Sequence, residues 1–329
     1  MTMMIGATTP AHAAEARDAG IECHGLVRVF TAPGVEVQAL QGLDLRIDSG
    51  ELVAIIGASG SGKSTLLTIL SGLDTPTAGS VRVAGVDLLA LTRRQRIDYQ
   101  RHTVGFVWQQ TSQNLLPYLT TAENVAAVIA LAGTARREGR TNRAARVTEL
   151  LELLNIADVS GRLPHELSGG QQQRAAIAVA LANNPRVLLA DEPTGELDEA
   201  ASADVLAAMR RVNEELGVTM LIVTHDHTVA DHVNRTVRIR DGRTSTETVR
   251  SVVRGADGVD EHVAEEFAVL DRVGRLQLPS DYLEALALRD RVRLALESDR
   301  IAIFPGDTAP RPSPSSADPD TARAGEEQS

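Results

Sequence analysis

Short apolar runs alternate with stretches of helical periodicity along the first three quarters of this chain, and that alternation predicts most of its architecture. Residues 21–30 alternate weakly between apolar and polar. A turn at Pro33 and Gly34 leads into a second alternating stretch over 35–47, and the two are expected to pair antiparallel. Asp48, Ser49 and Gly50 then turn the chain into a wholly apolar strand over 52–56, followed by a helical run over 65–70. A turn cluster over 74–79 precedes a strand at 80–83, a polar helix over 88–101 and a short strand over 104–108 that ends at Gln109. Residues 110–163 keep a helical pattern, with a basic, glycine-broken loop expected at 133–143; this block interrupts the α/β pattern and reads as a subdomain. A helix over 175–182 is stopped by Asn183, Asn184 and Pro185. An apolar strand at 187–190, a helix to about Glu215, a buried strand at 219–223 and a closing hairpin around Asp241 and Gly242 complete the pattern. Apolar strands joined by helical crossovers predict a mostly parallel sheet covered on both faces.

Composition narrows the classes. The chain has 329 residues, room for one large domain and a smaller one or for two of similar size. With 43% apolar residues but only 2% aromatics, its core must be aliphatic. A net charge of -11 argues against a general nucleic-acid binder. The lone Cys23 excludes an intramolecular disulfide, suits a reducing compartment and reads as a small packed residue. The longest apolar candidate, 125–132, falls well short of the roughly 20 residues a membrane helix needs. Residues 1–20 lack the basic start and long apolar centre of a secretory signal, and are expected to form a disordered leader.

The chemistry gathers at strand ends. Gly57, Ala58, Ser59, Gly60, Ser61, Gly62, Lys63, Ser64 and Thr65 spell G-x-x-x-x-G-K-[ST] between a predicted strand and a predicted helix, the context of a phosphate-binding loop. Glycines let backbone N–H groups turn inward onto phosphate oxygens, and the helix sets its positive end on the same anion. Lys63 is expected to reach the β- and γ-phosphates and Ser64 to hold Mg²⁺. Asp191, after an apolar strand, is the expected Mg²⁺ partner opposite Ser64; Glu192 can orient and deprotonate a water; His225 can contact a γ-phosphate or its attacking water. Singly, a strand-end acid pair is often only solvated and a lone histidine only packed; the phosphate loop beside them favours the functional reading. Phe30 reads either as core or as a platform for a nucleotide base.

From about residue 21 to residue 250, this set resembles the ATP-binding-cassette (ABC) ATPases. The telling stretch is Leu167, Ser168, Gly169, Gly170 and Gln171, similar to the ABC signature loop. The resemblance implies an α/β P-loop nucleotide triphosphatase with a mostly parallel core sheet, an antiparallel β subdomain and a helical subdomain at about 110–165. It implies that Phe30 stacks on adenine, where the family more often has Tyr, and that residues 57–65 are the Walker A loop. Gln109 would contact Mg²⁺ and sense the transport partner, Asp191 and Glu192 would be the Walker B acid and the catalytic base, Asp198 would belong to the D-loop, and His225 would be the switch histidine. It also implies a head-to-tail dimer in which Ser168, Gly169, Gly170 and Gln171 of one copy complete the ATP site of the other. Residues 164–174 and 190–198 are further similar to the macrolide-efflux, lipoprotein-release and cell-division branch, which commonly has Asn where this chain has Glu196. The implied protein is an ATPase subunit using ATP and Mg²⁺, peripheral on the inner face of the membrane through a separately encoded permease, with neither a nucleic-acid partner nor direct membrane insertion expected. The alternatives are a soluble non-transport ABC ATPase and an ATP-gated DNA-binding regulator.

Beyond residue 250, a polar linker is expected over 251–264, then a small β-rich domain over 265–305. Phe267 to Asp271 reads as a strand, a helix is expected to start at Ser280 and Asp281, and Val292, Leu294, Leu296, Ile301 and Ile303 alternate as in strands. The arrangement resembles the AbrB-type swapped-hairpin fold, an intertwined dimer that binds DNA in many members. Here its arginines are closely matched by acidic residues, so a dimerisation tether is expected, with a β cap on its own cassette as the alternative. Residues 306–329 are rich in Pro, Ser, Ala and Asp and are expected to be disordered.

Overall fold

In the computed structural model the residues described are 18–133, 135–254, 260–271, 274–289, 291–298 and 300–306. The chain divides into two units, Met1–Gln277 and Leu278–Ser329. The first opens on two long strands, β1 (Ala19–Ala32) and β2 (Val35–Asp48), paired antiparallel as their alternation predicts. Then come β3 (Leu52–Ile56), α1 (Lys63–Leu70), β4 (Ala78–Val83), β5 (Val86–Asp87), α2 (Arg93–His102) and β6 (Val104–Val107). The helical region holds α3 (Thr121–Leu131), α4 (Ala135–Leu153) and α5 (Gly169–Leu181). The α/β pattern resumes with β7 (Val187–Asp191), α6 (Glu199–Leu216) and β8 (Thr219–Thr224), and ends in β9 (Arg235–Arg240), β10 (Arg243–Arg254) and β11 (Asp260–Ala268). The second unit contains α7 (Ser280–Ala285) and the antiparallel pair β12 (Val292–Leu296) and β13 (Ile301–Pro305).

Strand periodicity builds two cores on one sheet. The seven-stranded sheet runs β11-β10-β9-β3-β8-β7-β6, parallel from β9 to β6 and antiparallel at β10 and β11. Side chains alternate between its faces. Val53, Ile55, Leu189, Leu221 and Val223 pack on one side against α1 residues such as Leu66 and Leu70 and against the antiparallel sheet β2-β1-β4-β5. Ala54, Leu188, Ala190, Met220 and Ile222 pack on the other against α3 to α6. Both faces are covered, so the central strands are apolar throughout, as the sequence predicts. Cys23 lies wholly buried in the first of these cores, and burial pushes its thiol up to about 12. Asp241 and Gly242 both have positive φ, 51° and 69°, as a two-residue turn between β9 and β10 requires.

The structure departs from the sequence reading in three places. The basic loop expected at 133–143 is mostly helix, because α4 starts at Ala135. One interior glycine, Gly139, costs a helix only about 1 kcal/mol, and the Ala, Arg and Glu around it favour helix. Over 251–264, where a linker is expected, β10 runs on to Arg254 and pairs with β11, Arg254 opposite Asp260 and Thr246 opposite Ala268. Phe267 therefore belongs to the edge strand of the large sheet rather than to the small C-terminal unit. Strands at a sheet edge need no apolar run, which is why their polar composition reads as linker. The polar helix expected from residue 88 begins at Arg93, after Thr92 caps it with Gln95. The expected leader and tail lie outside the described residues, except for residues 18–20 and Gly306.

Candidate nucleotide-binding and catalytic site

Parallel strands place their carboxyl ends on one edge of the sheet, where α/β folds hold ligands. Register makes neighbours of the residues that matter: Ile56 lies opposite Thr224, Asp191 opposite Val223, and Val107 opposite Ala190. The phosphate loop after β3, Gln109 after β6, Asp191 and Glu192 at the end of β7, and His225 after β8 thus come together. They line one cleft of about 650 Å³ with Phe30, Ser59, Gly60, Gly62, Lys63, Ser64 and Thr65. Gly57, Ala58 and Ser61 line an adjoining cleft that shares Ser59, Gly60 and His225.

The loop conformation depends on its last glycine. Gly62 precedes α1 with φ 100°, and a Cβ there would run into the Ala39 carbonyl of β2, which crosses over the loop. Ser61 is held from the other side, its carbonyl accepting from the Gly242 N–H at 3.1 Å. The Lys63 ammonium donates to the Gly57 and Ala58 carbonyls at 2.7 and 3.0 Å. Burial pushes its pKa down, opposed by the charges of Glu192 and Asp191. Burial and the neighbouring Glu192 raise the Asp191 carboxyl, while a hydrogen bond from Ser64 and the Lys63 charge pull it down. The Ser64 hydroxyl, the Asp191 carboxylate and the Gln109 side-chain carbonyl form a hard-oxygen donor set. Mg²⁺ takes few protein oxygens and completes its shell with water and phosphate, so this set fits it.

Glu192 is the most constrained residue of the site. Its φ is 47°, a left-handed backbone that costs a non-glycine residue about 1–3 kcal/mol, and its N–H donates to the Val223 carbonyl at 2.8 Å. Its carboxylate meets His225 chiefly on Oε1, which lies 3.1 Å from the His225 backbone nitrogen and 2.8 Å from Nδ1; the same backbone N–H reaches Oε2 at 3.4 Å. The other oxygen, Oε2, accepts from the Thr224 hydroxyl at 2.8 Å. Thr224 was not among the residues the sequence singled out; the available signal was a hydroxyl at a strand end beside His225.

Phe30 is 42% exposed rather than core, with the Arg28 guanidinium 4.4 Å from its ring centroid and Arg28 in turn paired with Asp74 at 2.8 Å. The remaining candidates stand apart from the cleft. Ser168 caps α5, accepting from the Gln171 N–H at 3.3 Å while its own N–H donates to the Gln171 side chain at 3.0 Å. Gly169 and Gly170 lie beside Leu197 and Ala201, and Asp198 caps α6 through the Ala201 N–H at 2.8 Å. Ser168, Gly169, Gly170, Gln171 and Asp198 therefore form a second group around two helix N-termini, separate from the residues that line the phosphate-loop cleft.

A phosphate loop at the head of a parallel sheet, with strand-end acids and a helical subdomain, defines an ATP-binding P-loop cassette. The ABC transporter family model matches residues 40–195. The chain is 43% identical over 223 residues to the lipoprotein-releasing system ATP-binding protein LolD of Geobacter metallireducens, covering 68% of this chain and 96% of that protein. It is 45% identical over 237 residues to the macrolide export ATP-binding/permease protein MacB of Rhodospirillum rubrum, covering 72% of this chain and 35% of that one. The MacB relatives are thus matched over only about a third of their length. Among solved structures, the dimeric ATP-binding cassette MJ0796, in a post-hydrolysis state bound to ADP and Pi, is 36% identical, with TM-score 0.61 over 69% of this chain and 97% of that one. This chain belongs to the ABC transporter family.

Proposed function

We propose that this chain is the ATP-hydrolysing subunit of an ABC transporter. Two copies would close head to tail around two ATP·Mg²⁺ and drive a permease of the macrolide-efflux or lipoprotein-release type carried on another chain. The observation that carries this reading is the partition of the site. The phosphate loop, acids and histidine share one cleft, while Ser168, Gly169 and Gly170 face elsewhere at the N-terminus of α5. A helix N-terminus presenting N–H groups is built to hold an anion; here it would serve the γ-phosphate bound by the partner copy. The solved relative MJ0796 is described as dimeric, which supports the same arrangement.

The chemistry assigned to the chain's own residues is positioning and charge neutralisation. Loop amides and Lys63 hold the phosphates, and Phe30 offers its open ring to the base. Ser64, Asp191 and Gln109 would hold Mg²⁺, which when bound supplies further neutralisation of phosphate charge. Glu192 takes a proton from water as the water oxygen attacks the γ-phosphorus, and ADP leaves with the bridging oxygen. Among the described residues no helix is long and apolar enough to cross a membrane, so the proposed place at the inner face of the membrane comes through the permease. A tagged Glu192→Gln chain, captured from detergent-solubilised membranes with ATP and Mg²⁺, should bring down an integral membrane protein. Recovery of ribosomes or DNA without a membrane protein would overturn the transporter reading in favour of a soluble ATPase or a DNA-binding regulator.

For the second unit we propose the swapped-hairpin reading in its simplest form, a dimerisation tether. On β12 and β13, Leu294 pairs with Ile303 and Leu296 with Ile301 across one apolar face. Leu294, Leu296 and Ile301 are 64%, 86% and 65% exposed. A two-stranded hairpin is marginal by itself. A second copy would cover this face and raise the local concentration of its cassette. Without nucleotide, the full chain should elute as a dimer in size exclusion and a chain ending at Gln277 as a monomer; two monomers would end the tether idea.

A further inference from the structure

The hydrogen bonds around Glu192 point to a residue that the reaction needs but that touches no substrate. We propose that Thr224 is a positioning residue for hydrolysis: its buried hydroxyl fixes the Glu192 carboxylate so that one acceptor site stays open for the attacking water. This rests on the reading of Glu192 as the base.

An ionised carboxylate only accepts hydrogen bonds and offers about four lone-pair sites. Three donors occupy Glu192: the backbone N–H and the ring Nδ1 of His225 on Oε1, at 3.1 and 2.8 Å, and the Thr224 hydroxyl on Oε2, at 2.8 Å, with the same backbone N–H also 3.4 Å from Oε2. Facing an acceptor-only group, His225 must carry its proton on Nδ1. Both short His225 bonds fall on Oε1, and the backbone N–H reaches Oε2 only at 3.4 Å, so by themselves they hold the second oxygen weakly. Thr224 supplies the second point of attachment, which turns a hinge into a fixed plane. The remaining site, on Oε2, is then held in one direction.

The hydroxyl is itself fixed. Thr224 is 1% exposed at the end of β8, and its Oγ1 accepts from the Asp226 N–H at 3.0 Å. With that lone pair occupied, the single hydroxyl proton is directed to Glu192. The backbone of Glu192 cannot do this work, because its left-handed φ of 47° is held by the Val223 carbonyl and sets only where the side chain starts. Valine has almost the shape of threonine and suits a buried strand, so Thr224→Val removes both hydroxyl bonds, to Glu192 and from the Asp226 N–H, with little change in shape. Threonine and serine share the hydroxyl, so Thr224→Ser keeps the bond.

The test is steady-state ATP hydrolysis by the full chain as Thr224→Val and Thr224→Ser, with ATP binding measured separately. Thr224→Val should lower kcat about tenfold, the rate equivalent of the lost hydrogen bond to Glu192, with KM and ATP affinity unchanged. Thr224→Ser should recover most of that rate. Adding Thr224→Val to Glu192→Gln should cost nothing further, because the pair acts as one unit. Wild-type kcat in Thr224→Val would overturn the proposal, as would equal losses in Val and Ser, or a fall in ATP affinity that accounts for the loss. Glu192→Gln alone distinguishes the two levels: if it hydrolyses normally, the base assignment fails whatever Thr224 does.

Discussion

Glu192→Gln is expected to lower kcat for ATP hydrolysis by about a hundredfold to ten-thousandfold, the range general-base catalysis supplies. The amide keeps the size and planarity of the side chain but cannot take a proton from water. It also changes what the site can accept. The three groups that point at the carboxylate are donors, and a Gln NH₂ placed against either the Thr224 hydroxyl or His225 must be re-accommodated. ATP affinity should stay close to wild type, because Lys63, Ser64 and the loop amides are untouched. With binding intact and hydrolysis blocked, the closed dimer should accumulate. Single-turnover hydrolysis together with light scattering, with and without ATP and Mg²⁺, reads both effects; a variant that turns over at the wild-type rate would remove Glu192 from the role of base.

Lys63→Ala should act one step earlier, on binding. The ammonium donates to the Gly57 and Ala58 carbonyls of the loop, and a bound triphosphate would replace those neutral acceptors with charged ones. Hydrogen bonds to charged groups contribute about 1.5–3 kcal/mol, so ATP affinity should fall about ten- to a hundredfold or more, and hydrolysis should fall to background. Stability should move differently. Burial holds the Lys63 pKa below its usual value, so the folded chain binds its proton less readily than the unfolded chain. At neutral pH that cation therefore opposes folding, and its cost falls as the pH rises through the pKa it has when folded and is gone above the unfolded value. Removing it should leave the unliganded melting temperature unchanged or slightly raised. Loss of ATP binding with a falling melting temperature would instead mean that the loop had come apart.

The two variants separate the site into a part legible in one dimension and a part that is not. Lys63 lies inside a contiguous motif flanked by its own strand and helix, so loop, lysine and Ser64 could be read directly from the chain. Asp191, Glu192 and His225 were legible because each follows an apolar strand, and parallel strands deliver their ends to the same edge. The cap at Ser168 is equally local, a serine with Gln171 three residues on, yet the sequence reading starts this helix only at residue 175. What could not be read depends on pairing over long separations. Thr224 meets Glu192 only because β7 and β8 are neighbours in the sheet, an order the alternation of strands and helices leaves open. The β10–β11 hairpin was hidden for the opposite reason: an edge strand with polar residues carries little periodicity, so its pairing appears only in the register.

The sequence by itself thus determined the class of most elements among the described residues, the phosphate-loop motif and which strand ends carry acids and a histidine, because local propensity and contiguous motifs act over a few residues. Tertiary structure decided the neighbours. Strand order placed Thr224 against Glu192, β2 was laid across Gly62, and Ser168 was set at a helix N-terminus away from the cleft. Those contacts depend on how two apolar faces of one sheet are buried at once, a condition on the whole chain that no local stretch of it contains.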